Sequence, residues 1–187
     1  MTLTRRHWAW IAVVVLATVA IEWSMGRSPL GPDGTFAWLE LDIWSAHQSQ
    51  RVFDPYTVSH IVHGFLFYAL LTRVARRQSV STRLVLAVAL EAAWEVLENS
   101  PLIIDRYRAV TIAQGYVGDS ILNSASDIVM AGLGFVLASR LRVVVSVSAV
   151  IAAELLMLVL IRDNLTLNIV MLVWPIDAIR EWQMLER

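Results

Sequence analysis

Apolar residues in this chain gather into blocks of roughly 17 to 22 positions, separated by short polar or arginine-rich stretches. That is the length a helix needs to cross a bilayer at about 1.5 Å per residue. The pattern predicts spans over about 8–25, 57–74, 84–98, 117–139 and 143–161. A further apolar stretch, 165–179, is broken at Trp174-Pro175 and reads as a re-entrant or interfacial helix, with a short sixth span as the alternative. The first block follows Arg5 and Arg6, so a secretory signal is its rival reading. It is long for such a segment, carries Glu22 and Trp23 near its end and lacks an A-x-A site, which favours an uncleaved span.

Gly26 to Pro55 is a turn-rich connection containing Pro29, Gly31, Pro32 and Gly34. Within it, Phe36, Leu39 and Ile43 fall on one face, predicting a short periplasmic helix over 36–46 that lies on the membrane surface. The expected fold is therefore all-α, a polytopic transmembrane helical bundle forming one integral membrane domain over 1–187. No internal repeat or low-complexity tract interrupts it.

Composition agrees. The chain is 57% hydrophobic and 17% charged, where a soluble domain carries about a quarter, and its mean hydropathy is +0.60. The net charge of -1 says nothing about nucleic acid, and no basic block suggests such a partner, so none is expected. With no cysteine there is no disulfide, thiolate ligand or thiol nucleophile. Most of the eight tryptophans lie near segment ends, as interfacial anchors do. Arg5 and Arg6, the loop with Arg73, Arg76, Arg77 and Arg83, and Arg140 with Arg142 share one side if there are five spans. The positive-inside rule makes that side cytoplasmic, giving a multi-pass inner-membrane protein with a cytoplasmic N-terminus.

The chemistry lies in the interruptions of the apolar blocks. Glu91, Glu95 and Glu98 are spaced i, i+4, i+7 and fall on one helix face. His60 and His63 are i, i+3 neighbours, and Asp119, Asn123 and Asp127 recur every four residues. Counting from the cytoplasmic arginines, His60, Glu95 and Asp127 lie at about 18–20 Å and Glu98 and Asn123 at about 22–25 Å, one layer in the outer half of the bilayer. Acids at such depth are costly and usually functional.

Two histidines with several carboxylates suit a divalent metal ion: zinc or iron by the imidazoles, manganese by the carboxylates, with magnesium also admissible. His60, His63, Glu95 and Asp127 are the candidate direct ligands, with Asp119 and Asn123 completing or orienting the set. Glu91 and Glu98 are the candidate general bases toward a metal-bound water. The set matches no exact metal motif such as HExxH. A structural network of hydrogen bonds and a proton relay are the competing readings. Glu154 reads as a structural hydrogen-bond partner, Glu22 as a carboxylate snorkelling to the interface, and Trp94 as lipid-facing or packing. No serine sits in a G-x-S-x-G setting.

The strings SHIVHGFLFY, EAAWEVLENSPLIIDRYR and GYVGDSILNSASDIVMAGLGF resemble an uncharacterised family of bacterial integral membrane proteins, known as a domain of unknown function. The resemblance implies an inner-membrane location and supplies no reaction.

The residues themselves point to a metal-dependent membrane hydrolase or transferase. Membrane lipids would surround it, and a lipid or lipid-linked substrate near the outer leaflet would be its partner. The competing class is a proton or ion transporter, or an accessory subunit in an oligomer or larger membrane complex. The apolar stretches Phe65–Leu71 and Val129–Ala138 leave no polar path to the cytoplasmic side, which counts against transport.

Overall fold

The computed structural model describes residues 1–185. Among these, eight helices form the chain and no strand does, apart from an isolated bridge between Leu39 and Phe53. In order they are α1 (Arg5–Ser24), α2 (Thr57–Val74), α3 (Val80–Glu98), α4 (Pro101–Val110), α5 (Ile121–Ala138), α6 (Val143–Ile161), α7 (Leu165–Val173) and α8 (Asp177–Met184).

Local chemistry sets the boundaries. Ser79, Ser120 and Asn164 stand at the N-caps of α3, α5 and α7, each accepting a backbone N–H three residues on. The string Asn99-Ser100-Pro101 ends α3 and starts α4, because proline lacks an N–H and its fixed φ suits the first helical position. The polar loop expected after Glu98 is thus half helical: α4 buries Ile104 and Val110 and exposes Leu102 and Asp105.

Helices α2, α3 and α5 form the centre. Leu71, Leu84, Ala87, Val88, Ala92, Ile128 and Phe135 make the apolar core, and α1 packs Ile11, Val14 and Val15 against it. The Ser81 hydroxyl donates to the Thr2 carbonyl at 2.7 Å, holding the N-terminus beside the start of α3 at the arginine-rich end. The loops before α2 and before α5 meet at the opposite end, where Ser120 N–H donates to Ser49 at 2.9 Å and Gln50 Nε2 to Gly118 at 2.8 Å.

Three helices, α1, α5 and α6, are long and apolar enough to cross a membrane, fewer than the five spans expected. Helices α2 and α3 match them in length, at 18 and 19 residues. They fall short in apolarity because they carry the histidines and the glutamates, along with Arg73 and Arg83. The outer faces of α1 and α6 are bare of protein contacts, with Val143 and Val159 each 78% exposed.

Two expectations are corrected. Residues 36–46 form no helix: they run extended and then through turns, with Phe53 N–H donating to Trp38 at 2.9 Å and Glu40 N–H to Phe53 at 3.1 Å. Short polar side chains there capture nearby backbone, Glu40 from Asp42 N–H and Asp42 from Trp44 N–H, and such bonds compete with helix formation. Glu22 does not snorkel either. It is fully buried between α1 and the centre of the bundle, with neither carboxylate oxygen hydrogen-bonded.

Candidate functional site

Helix α2 places His60 and His63 on consecutive turns, their rings edge to face with centroids 5.3 Å apart. His60 Nδ1 lies 2.5 Å from Glu91 Oε1 and 3.3 Å from Glu95 Oε1, both on α3. Its Nε2 lies 3.7 Å from Asp127 Oδ2 on α5. One imidazole therefore stands among three carboxylates from two other helices. His63 Nδ1 approaches the two oxygens of Glu91 at 3.0 and 3.1 Å.

Two sets of donors are close enough to share a cation: His60, His63 and Glu91, and His60, Glu95 and Glu98. Within each set the donor atoms lie within 4.8 Å of one another. The carboxylates are under-satisfied. Both oxygens of Glu95 and Oδ1 of Asp127 are buried without a hydrogen-bond partner. Buried polar atoms are almost always paired, so such orphans call for protons or a cation. The donor chemistry, imidazole plus carboxylate with unfilled lone pairs, fits a divalent ion.

Around the acids runs a network fixed by Asn99. Its Nδ2 donates to the Glu95 carbonyl (3.1 Å), Asp119 Oδ2 (3.1 Å) and Ser124 Oγ (3.2 Å), and its Oδ1 accepts Asp119 N–H at 2.7 Å. Tyr116 OH donates to Asp119 Oδ1 at 2.9 Å. Gly118 takes φ +89°, and a Cβ there would sit 2.9 Å from Asn99 Oδ1 and 3.0 Å from Ile104 Cδ1. Glycine is thus required to turn the chain and present Asp119 to Asn99.

The histidines open onto a cavity of about 530 Å³. His60, His63, Glu98, Asp119, Asn123 and Asp127 form its polar end, and Leu66, Phe67, Leu90, Trp94, Leu97 and Ile169 part of its apolar wall. Glu91 and Glu95, fully buried, stand behind the histidines and do not face it. Helix α4 and helix α7 close it: Arg106 Nε donates to the Leu172 carbonyl at 2.9 Å, joining them.

All eight residues singled out by sequence thus converge, in unequal positions. His60 touches three carboxylates, while His63 touches Glu91 alone. Asp119 precedes α5 rather than lying on its face, and both its oxygens are taken. Asn123 spends its Nδ2 on the Arg51 carbonyl at 2.9 Å.

Several cavity residues carried no signal beyond residue type: Asp54, Tyr56, Tyr107, Tyr116 and Asp163. Asp163 accepts from Tyr56 OH, Asn168 Nδ2, Asn164 N–H and Gln183 Nε2 at 2.9–3.0 Å. Burial, opposed by these bonds, pushes its carboxyl up to about 6. Asp54 is likewise raised by burial. Glu154 does serve structure, accepting Leu165 N–H at 3.2 Å and Thr166 N–H at 2.9 Å at the start of α7. Trp94 lines the cavity beside His63, with ring centroids 6.3 Å apart.

The family described as "Protein of unknown function (DUF2585)" matches residues 22–185, and the chain belongs to it. A "UPF0314 protein" of Paracoccus denitrificans is 50% identical over 183 residues, covering 96% of this chain and 94% of its own. Namesakes in Novosphingobium aromaticivorans (52% over 175 residues, 91% and 88% covered) and Sphingopyxis alaskensis (47% over 181 residues, 97% and 96% covered) are similar throughout. No solved structure matches the chain.

Proposed function

We propose that this member of the DUF2585 family is a five-span protein of the bacterial inner membrane and a metal-dependent hydrolase or transferase. Its substrate would be a lipid or lipid-linked molecule taken up near the outer leaflet. Helices α1, α2, α3, α5 and α6 would be the spans, with the N-terminus cytoplasmic. The nine residues of α7 reach about 14 Å, too short to cross, so it would lie as an interfacial or re-entrant cap.

One observation carries the reading: His60 at the polar end of an apolar-walled cavity joins carboxylates of two other helices, Asp127 lining the cavity and Glu95 buried behind the imidazole, both under-satisfied. His60, Glu95 and Glu98 would hold the ion, with Asp127 nearby. Bound there, zinc, iron, manganese or magnesium would supply electrophilic activation of water and of an ester or phosphoryl group. Glu91 would act as a positioning residue, since its oxygens lie against both imidazoles and it has no face on the cavity. Glu98, which does face the cavity, is the better candidate for moving a proton at the substrate. Asp119 and Asn123 would shape the polar end.

Elemental analysis of the detergent-purified protein with His60→Ala and Glu95→Ala tests this. Near-stoichiometric zinc, iron or manganese, lost in both variants, is the expected result; weakly held magnesium is checked by titration with Mn²⁺ as a paramagnetic stand-in. The 2.5 Å approach of His60 to Glu91 favours one second reading, a hydrogen-bonded core or proton relay. No metal binding by either method, with both variants merely less stable, would establish that reading instead.

A further inference from the structure

Charge inside the cavity is one-sided. Asp54, Glu98, Asp119, Asp127 and Asp163 line it together with the two histidines. The chain has no lysine, and no arginine is among the described lining residues. Nearby arginines are committed elsewhere: Arg51 pairs with Asp33 at 2.8 Å, and Arg106 and Arg108 donate to the carbonyls of Leu172 and Tyr116. A divalent ion on Glu95 and Glu98 would leave Asp127 with only the His60 imidazole nearby, at 3.7 Å from its Oδ2, and its Oδ1 is buried and unpartnered. An anionic head would meet this wall with like charge.

Five aromatic rings also line the space, those of Tyr56, Phe67, Trp94, Tyr107 and Tyr116. Ring faces beside carboxylates attract a cation more strongly as water is excluded. The apolar wall continues outward through Leu66, Leu90, Leu97 and Ile169, each 40–50% exposed on the faces of α2, α3 and α7. An alkyl chain can therefore leave the cavity sideways rather than through the polar loops.

We propose that the cavity binds an amphiphile by an ammonium head, held by Asp127 and the aromatic rings, with its tail passing out along Leu90 and Leu97 toward α7. This rests on the reading of the cavity as a lipid site and names the head it selects. It is independent of the metal.

Native mass spectrometry of the protein released from dodecyl maltoside tests it, with dodecylammonium, dodecyl phosphate and dodecyl glucoside as probes and metal content measured on the same samples. One dodecylammonium per chain is expected, with an affinity at least about tenfold above either other probe. Asp127→Asn should weaken that preference about tenfold. Should that variant fail to fold, Trp94→Leu should reduce the preference for dodecylammonium over the glucoside severalfold. Equal binding of all three probes, preference for the phosphate, or no binding would overturn the proposal. A sample that holds no metal, binds no titrated Mn²⁺ and still selects dodecylammonium would refute the metalloenzyme reading and leave this one standing. A metal-loaded sample that prefers the phosphate would do the reverse.

Discussion

Helices α2 and α5 approach so closely at Gly64 and Gly134 that a methyl group at either position would enter the opposite backbone. A Cβ on Gly64 would lie 2.8 Å from the Gly134 carbonyl carbon and closer still to the Ala131 carbonyl oxygen. Ordinary contact begins near 3.4 Å and the Phe135 backbone N would lie at 2.5 Å, so the helices would have to part by 0.9 Å (3.4 − 2.5) or more. Backbone cannot rotate away as a side chain can, and overpacking of this kind costs about 1–3 kcal/mol. Alanine recovers up to about 1 kcal/mol of helix propensity, which at Gly64 offsets only part of the strain.

Gly132 supplies the control, because a Cβ there would meet only Val88 Cγ2, at 3.7 Å. Gly132→Ala should therefore be neutral or stabilising by up to about 1 kcal/mol, and Gly64→Ala destabilising. At about 2–4 °C per kcal/mol, thermal unfolding in detergent followed by circular dichroism should separate the two variants by several degrees. The strain also reaches the site, since His60 lies one turn from Gly64 and its 3.7 Å approach to Asp127 spans the same interface. Any metal bound by the wild type should be weakened in Gly64→Ala and retained in Gly132→Ala. A Gly64→Ala protein as stable as Gly132→Ala would refute the close crossing.

Other consequences follow from the same geometry. Glu154→Leu removes the carboxylate that accepts Leu165 and Thr166 N–H, and should cost about 0.5–2 kcal/mol, seen as faster amide exchange across α7. Asn99→Ala leaves Asp119 without two of its partners inside the protein and should lower stability by several degrees with no change in helix content. For Asp163, the folded carboxyl sits above its ordinary 3.8, at about 6. The folded state therefore holds more protons than the unfolded chain between those values, and stability falls as pH rises through that window and levels above it. Exchange in α8, corrected for intrinsic rate, should be slower at pH 5 than at pH 7.5; the opposite order would contradict the burial of Asp163.

The sequence by itself determined the five long helices and which of their faces are polar. Both are local properties: the block lengths mark α1, α2, α3, α5 and α6, and the 3.6-residue repeat aligns His60 with His63 and Glu91 with Glu95 and Glu98. Local pattern failed where side chains a few residues apart competed for the backbone, as at Glu40 and Asp42, and where Pro101 began a short helix inside an apparent loop. What only the tertiary structure decided is who meets whom. The glycine crossing of α2 and α5 sets His60 against Asp127, and packing of α1 sinks Glu22 to full burial. The tertiary structure also turns Trp94 onto the cavity, and makes hubs of Asn99 through Asp119 and Ser124 and of Asp163 through Tyr56 and Gln183. Periodicity reports a residue's direction relative to its own helix axis. Burial and partnership depend on where the other helices lie, and no single stretch of sequence contains that.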